Sequence, residues 1–233
     1  MELSESIKRR IPVLEQFGEL ARIKQIEFMA EKTGVDKEEL LMELRKLEKN
    51  KKYGKQKDKM KFFHSTSFYS AKKIIEDRTL LSTREREKRG DIIDNVRPNS
   101  RHHGVQFTTD FYNDEGKLTY SGLGKGGGAS SKDITFVFGQ DLYDDPLLDT
   151  FEQYPSIDYV SLDKCLAIIC NNKGDKELIV EFLKIQCIIN IIVFSKDEFD
   201  INITASELKK KTEMNKMNDF QDGNDDGMNM TKN

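Results

Sequence analysis

Cysteine, histidine and long apolar runs are all scarce in this chain, and each scarcity removes a class of function. Three cysteines, Cys165, Cys170 and Cys187, leave one unpaired in any disulfide scheme. All three lie in apolar segments, the pattern of reduced core thiols. Three histidines, His64, His102 and His103, share no finger or helix spacing with one another or with the cysteines, so no metal site is expected. No apolar run approaches the roughly 18 residues of a membrane span, and nothing resembles a secretory apolar region. The expectation is a soluble, cytoplasmic (intracellular) protein with no membrane partner. A nucleophile-elbow serine and an internal repeat are also missing.

Charge is what the chain has in quantity. Charged residues make up 34% against 36% hydrophobic over 233 residues, enough for one ordinary domain with an ion-rich surface and a small accessory unit. The net charge of −3 hides an uneven distribution. Residues 51–101 carry 15 basic and 7 acidic side chains, a local +8, while residues 102–233 carry 13 and 23, a local −10. The basic segment would attract a polyanion or a phosphate-bearing cofactor.

Residues 1–50 read as a small three-helix unit. Ile7, Ile11, Leu14 and Phe17 fall at helical spacing, as do Leu20, Ile23 and Ile26, before Gly34 breaks the pattern. Asp36 with Glu39 three residues on opens a third helix striped by Leu40, Leu41, Leu44 and Leu47. The Thr33 to Asp36 turn between helices is helix-turn-helix-like. Its second helix, however, opens with Glu38, Glu39 and Glu43, which phosphates repel, so a packing or protein-partner module is expected. Residues 51–58 read as a basic linker in which Tyr53 could stack on a base, residues 59–200 as an α+β domain, and residues 201–233 as a disordered tail.

Within that domain, Met60 to Thr66 forms a strand that ends on a histidine and hydroxyl residues, and Ser67 or Ser70 can cap the following helix with its Ile74 and Ile75. Val105 to Thr109 and Ile134 to Phe138 read as strands. Leu166 to Cys170, Asp175 to Gln186 and Ile188 to Phe194 read as strand, helix, strand, with Asp175 able to cap. Ser121 to Gly128 contains a formal G-x-G-x-x-G at Gly122, Gly124 and Gly127. A strand follows it rather than a helix, and Gly124-Lys125 is not followed by Ser or Thr, so a flexible loop is expected in which Lys125 could meet an anion.

The Met60 to Ser82 stretch, with its strand, His64-Ser65-Thr66 and helix, resembles the opening motif of the ADP-ribosyltransferase superfamily. Arg101 to Asp110 resembles the second core strand of the same superfamily. The resemblance covers Lys59 to about Ser195 and implies a split mixed β-sheet core that takes NAD as co-substrate. It implies that His64 and Thr66 hold the nicotinamide-side ribose, that the Ser65 backbone meets the carboxamide, and that Thr108 and Thr109 line the cofactor site. It further implies a stacking tyrosine, Tyr112 or else Tyr120, and a catalytic acid, Glu152, with Asp149, Asp158 and Asp163 as competitors. Arg101 and Lys125 would face the acceptor, a nucleic acid or a protein. An RNA 2'-phosphotransferase, which shares the fold and NAD but lacks the acid, is the related alternative; a non-catalytic nucleic-acid-binding or adaptor protein is the alternative from another class.

Overall fold

The structure is a computed structural model, and it describes residues 9, 11–14, 19–91, 104–125, 132–151, 154–188 and 190–214. The chain is α+β, built on a mixed sheet. At the N-terminal side lie α1 (Ile11–Leu14), α2 (Glu19–Thr33) and α3 (Lys37–Tyr53). Gly34 ends the second of these with φ +68, a backbone conformation that costs glycine nothing. The Asp36 carboxylate then caps the third, accepting from the backbone N–H groups of Glu38 (2.9 Å) and Glu39 (3.0 Å).

The expected linker at residues 51–58 is folded. The third helix runs on to Tyr53 and continues as a 3-10 turn, Gly54–Gln56. Tyr53 packs against the main core rather than facing solvent. Burial, aided by Glu48, pushes its hydroxyl pKa up to about 12.

Five strands make the central sheet: β1 (Phe62–Thr66), β4 (Thr108–Thr109), β7 (Ile134–Phe138), β10 (Cys165–Cys170) and β11 (Ile192–Ser195), in the order β11-β10-β7-β1-β4. All neighbours are antiparallel except β10 and β11, which are joined by a crossover helix, Lys173–Ile185. Asn172 caps that helix, accepting from the Asp175 N–H at 2.9 Å, so the cap falls three residues earlier than Asp175. Two-stranded ladders surround the sheet: β2 (Thr79–Leu81) with β9 (Tyr159–Ser161), β3 (Val105–Gln106) with β8 (Ser156–Ile157), and β5 (Phe111–Tyr112) with β6 (Leu118–Tyr120).

Both faces of the sheet are covered. Phe62, Phe136, Phe138 and Ile168 face α4 (Phe68–Asp77) and the crossover helix, meeting Ile75, Ile179 and Leu183. On the other face Phe63, Val137 and Ile169 meet Phe199, Ile203 and Leu208. The first part of the expected disordered tail is therefore core structure: residues 205–214 are helical, and Leu208 is fully buried. A bulge between Cys165 and Ala167 places Leu166 and Ala167 in the same cluster. Cys165 and Cys170 are core thiols, their pKa values pushed up to about 12 by burial. Cys187 is not; it is exposed, in a left-handed turn with φ +54.

A polar seam joins the helical unit to the α+β domain. Lys49 donates to the carbonyls of Tyr143 (2.9 Å) and Asp145 (2.6 Å), and Arg45 pairs with Asp149 at 3.5 Å. Buried Glu48 takes the Thr150 hydroxyl and pairs with Lys52. Phe151 enters the helical core, beneath the Arg22 guanidinium at 5.2 Å. Among the described residues, no helix is long and apolar enough to cross a membrane.

Candidate functional site

Strand β1 positions His64 by simple alternation. Phe62 faces the two helices, Phe63 the opposite cluster, and His64 returns to the helix side. There its ring lies 6.0 Å from that of Phe107, tilted by 59°. Its Nδ1 is 3.1 Å from the Gln106 carbonyl. A carbonyl only accepts, so Nδ1 carries the proton and Nε2 of the neutral ring is left as an acceptor. Burial pushes the His64 pKa below the ordinary histidine value, opposed by the Gln106 hydrogen bond, so the ring is neutral near pH 7.

The stretch read as one strand, residues 105–109, divides at Phe107. Val105 and Gln106 pair with Ile157 and Ser156, whereas Thr108 and Thr109 pair with Phe63 and Phe62. The division has a consequence for β1. That strand has neighbours on both sides at Phe62 and Phe63, but from His64 to Thr66 it pairs only with Phe136 to Ile134 of β7. Among the described residues no strand covers the other edge there, which leaves backbone donors and acceptors beside the histidine. The Phe107 ring, wedged between Phe62 (6.4 Å) and Phe138 (5.6 Å), fixes where the chain departs.

The other expected site residues are placed as follows. Thr66 is buried on the face of His64, and its hydroxyl makes no hydrogen bond among the described residues. Ser65 points to the opposite face, where its hydroxyl meets that of Thr135 at 2.8 Å, so only its backbone is on the open edge. Thr108 also faces away and donates to the Gly122 carbonyl at 2.7 Å, fastening the glycine-containing turn to the sheet. Thr109 is buried opposite Phe62. Lys125 is exposed in the turn that begins at Gly122.

Tyr112 does not join His64. Its hydroxyl donates to the Lys59 carbonyl at 3.1 Å and lies 3.4 Å from Asp110 Oδ2. Lys59 is five residues upstream of His64, about 16 Å along an extended chain. Tyr120 is about half exposed against Phe111. Arg101, His102, His103 and Glu152 lie outside the described residues. The competing acids are engaged elsewhere: Asp149 with Arg45 and the Phe151 N–H, Asp158 with Arg84 and Ser82, Asp163 with the Ser161 turn.

Three contributors escape a reading of the sequence. Gln106 acts through its carbonyl and Phe107 through its place in the chain, and neither carries a residue-type signal. Asp133 precedes Ile134, the partner of Thr66, and accepts the Phe68 N–H at 3.2 Å, putting a carboxylate just past the C-terminal end of β1, where the chain enters α4. Its only signal is its place just ahead of a strand. No group of three or more His, Cys, Asp or Glu among the described residues could hold a metal ion. An open groove of about 170 Å³ between the outer sides of the two helices, lined by Phe68, Lys72, Leu178 and Phe182, includes none of the expected site residues. No protein-family model, no curated protein and no solved structure matches the chain.

Proposed function

We propose that the chain transfers ADP-ribose from NAD to a macromolecule, with the nicotinamide half held at the open edge of β1. The observation that supports this is the neutral His64, its Nδ1 proton committed to Gln106, standing beside the uncovered backbone from His64 to Thr66. A neutral imidazole with Nε2 as acceptor suits a ribose hydroxyl, and an open strand edge suits an amide such as the nicotinamide carboxamide. The Thr66 hydroxyl adds a donor on the same face. NAD supplies a ribose whose C1' is bonded to a good leaving group, nicotinamide. When that bond breaks, an acceptor oxygen or nitrogen bonds to C1' and loses a proton. Glu152 is the carboxylate assigned to stabilise the developing positive charge and to take that proton. Tyr112 has no part in it.

The test uses NAD carrying labelled phosphate, incubated with the protein and with DNA, RNA and a protein lysate in turn. Label carried into one acceptor, and lost with His64→Ala, is the expected result. Turnover that survives Glu152→Ala on a 2'-phosphorylated RNA would replace it with the phosphotransferase chemistry.

A further inference from the structure

The hairpin of β5 and β6 carries an aromatic pair that the NAD site does not use. Phe111 and Tyr120 stand directly opposite each other, with ring centroids 5.7 Å apart and planes at 55°. They are 48% and 45% exposed, an unusual state for two neighbouring large rings. The register shift between Phe111 and Tyr112 makes Thr119 the extra residue of a bulge. Leu118 therefore opposes Tyr112, whose hydroxyl is tied to the Lys59 carbonyl, while Tyr120 joins Phe111 on the outer face.

Lysines frame this pair. Gln56 donates to the carbonyls of Tyr112 (3.0 Å) and Asn113 (3.1 Å), fastening the basic turn with Lys55 and Lys57 to the hairpin. The Lys59 ammonium lies against Gly116, close enough that a Cβ there would stand 2.3 Å from it. Lys117 ends the hairpin turn, directly before β6, and Lys125 closes the turn that begins at Gly122, two residues after Tyr120. None of these five lysines has an ion pair among the described residues. Asp114 and Glu115 lie in the same hairpin turn as Lys117, and Asp58 is the remaining acid of the basic turn.

We propose that this face binds single-stranded nucleic acid, with bases stacked on Phe111 and Tyr120 and phosphates met by Lys55, Lys57, Lys117 and Lys125. Exposed rings accept any base, and unpaired lysines beside them follow the backbone. A protein partner would have to leave those lysines unmatched or bring its own carboxylates; a polyanion matches them without further conditions. The surface works as a binding site whether or not His64 serves NAD.

The experiment is fluorescence anisotropy with labelled oligothymidylate, oligouridylate and a duplex, at salt concentrations between about 50 and 200 mM. The expected result is binding of both single strands over the duplex, weakening with salt. Phe111→Ala with Tyr120→Ala should weaken it at least tenfold with an unchanged melting temperature. Lys117→Gln with Lys125→Gln should lower the salt slope by about 1.4, at roughly 0.7 per phosphate contact on a single strand. Binding that the double aromatic variant leaves intact, or no salt-sensitive binding at all, would overturn the proposal. So would a self-associated wild type that the aromatic variant makes monomeric, since the face would then join two copies of this chain. None of these readouts contains NAD, so the outcome stands apart from that of the ADP-ribosyl transfer test.

Discussion

Lys61 has none of its side chain exposed, and it is tolerated because each of its three protons has an acceptor. Asp110 stands 3.1 Å away, and the carbonyls of Ile201 (2.7 Å) and Ile203 take the others, with the Phe199 ring 5.7 Å below. Burial drives the two pKa values in opposite directions, Lys61 down and Asp110 up, and their mutual attraction opposes both shifts. Removing one partner strands a buried charge, at a cost of about 3–5 kcal/mol. Lys61→Met should therefore destabilise by that amount in urea denaturation. Lys61→Met with Asp110→Asn should cost less than the sum of the two single changes, by at least about 1 kcal/mol. His64 is a second titratable group whose pKa burial lowers. The unfolded chain, with a histidine pKa of about 6.5, binds a proton before the folded one does. Stability is then lost as pH falls below that value toward the lower folded pKa, and it is unaffected by His64 above it. Thermal melts at pH 7.5 and pH 5.5 should show a drop in wild type that His64→Gln reduces.

Among the elements, the clearest constraint is the turn that begins at Gly122. A Cβ there would sit 2.7 Å from both the N and the O of Thr109, on backbone that is paired with β1. Gly122 also receives the Thr108 hydroxyl on its carbonyl and gives its N–H to Asp110 at 3.3 Å. Gly122→Ala should cost about 1–3 kcal/mol in chemical denaturation, the range for forcing atoms into a packed site. The same stretch reads in the sequence as a flexible loop, because composition does not reveal a close backbone approach. Other elements were legible, and for physical reasons. Ile134 to Phe138 shows in the sequence because its β-branched and aromatic residues are buried on both faces. Residues 105–109 fit one strand pattern, and yet Phe107 hands the chain from one partner strand to another; pairing partners leave no mark on residue type. The β5–β6 hairpin went unread because its strands are only two and three residues long, a bulge at Thr119 interrupts the alternation of the second, and each bears an exposed ring.

At the scale of the whole molecule, the helical unit keeps a core of its own, entered by Phe151, while the expected linker and the first part of the expected tail pack onto the α+β domain. The basic run of residues 51–58 looked solvated because lysines dominate it. Its apolar and amide positions, Tyr53 and Gln56, nonetheless dock inward and Lys52 reaches buried Glu48, while Lys55 and Lys57 stay exposed. Residues 201–214 looked disordered for a similar reason: Ile203, Ala205 and Leu208 are too few to show a period, but they cover a sheet face that would otherwise be bare. The candidate site was half legible. The strand that carries His64 could be read from its pattern, but not the uncovered edge beside it, which is set by where a distant segment turns away. On that edge rests the assignment of NAD chemistry. Its most direct test is the release of nicotinamide from NAD by purified wild type and by His64→Ala, in the presence of mixed DNA, RNA and protein acceptors. ADP-ribosyl transfer at His64 predicts release by wild type and at least a hundredfold less by the variant, with matching circular dichroism at pH 7.5. Equal release by the two proteins, or none by wild type, would contradict it.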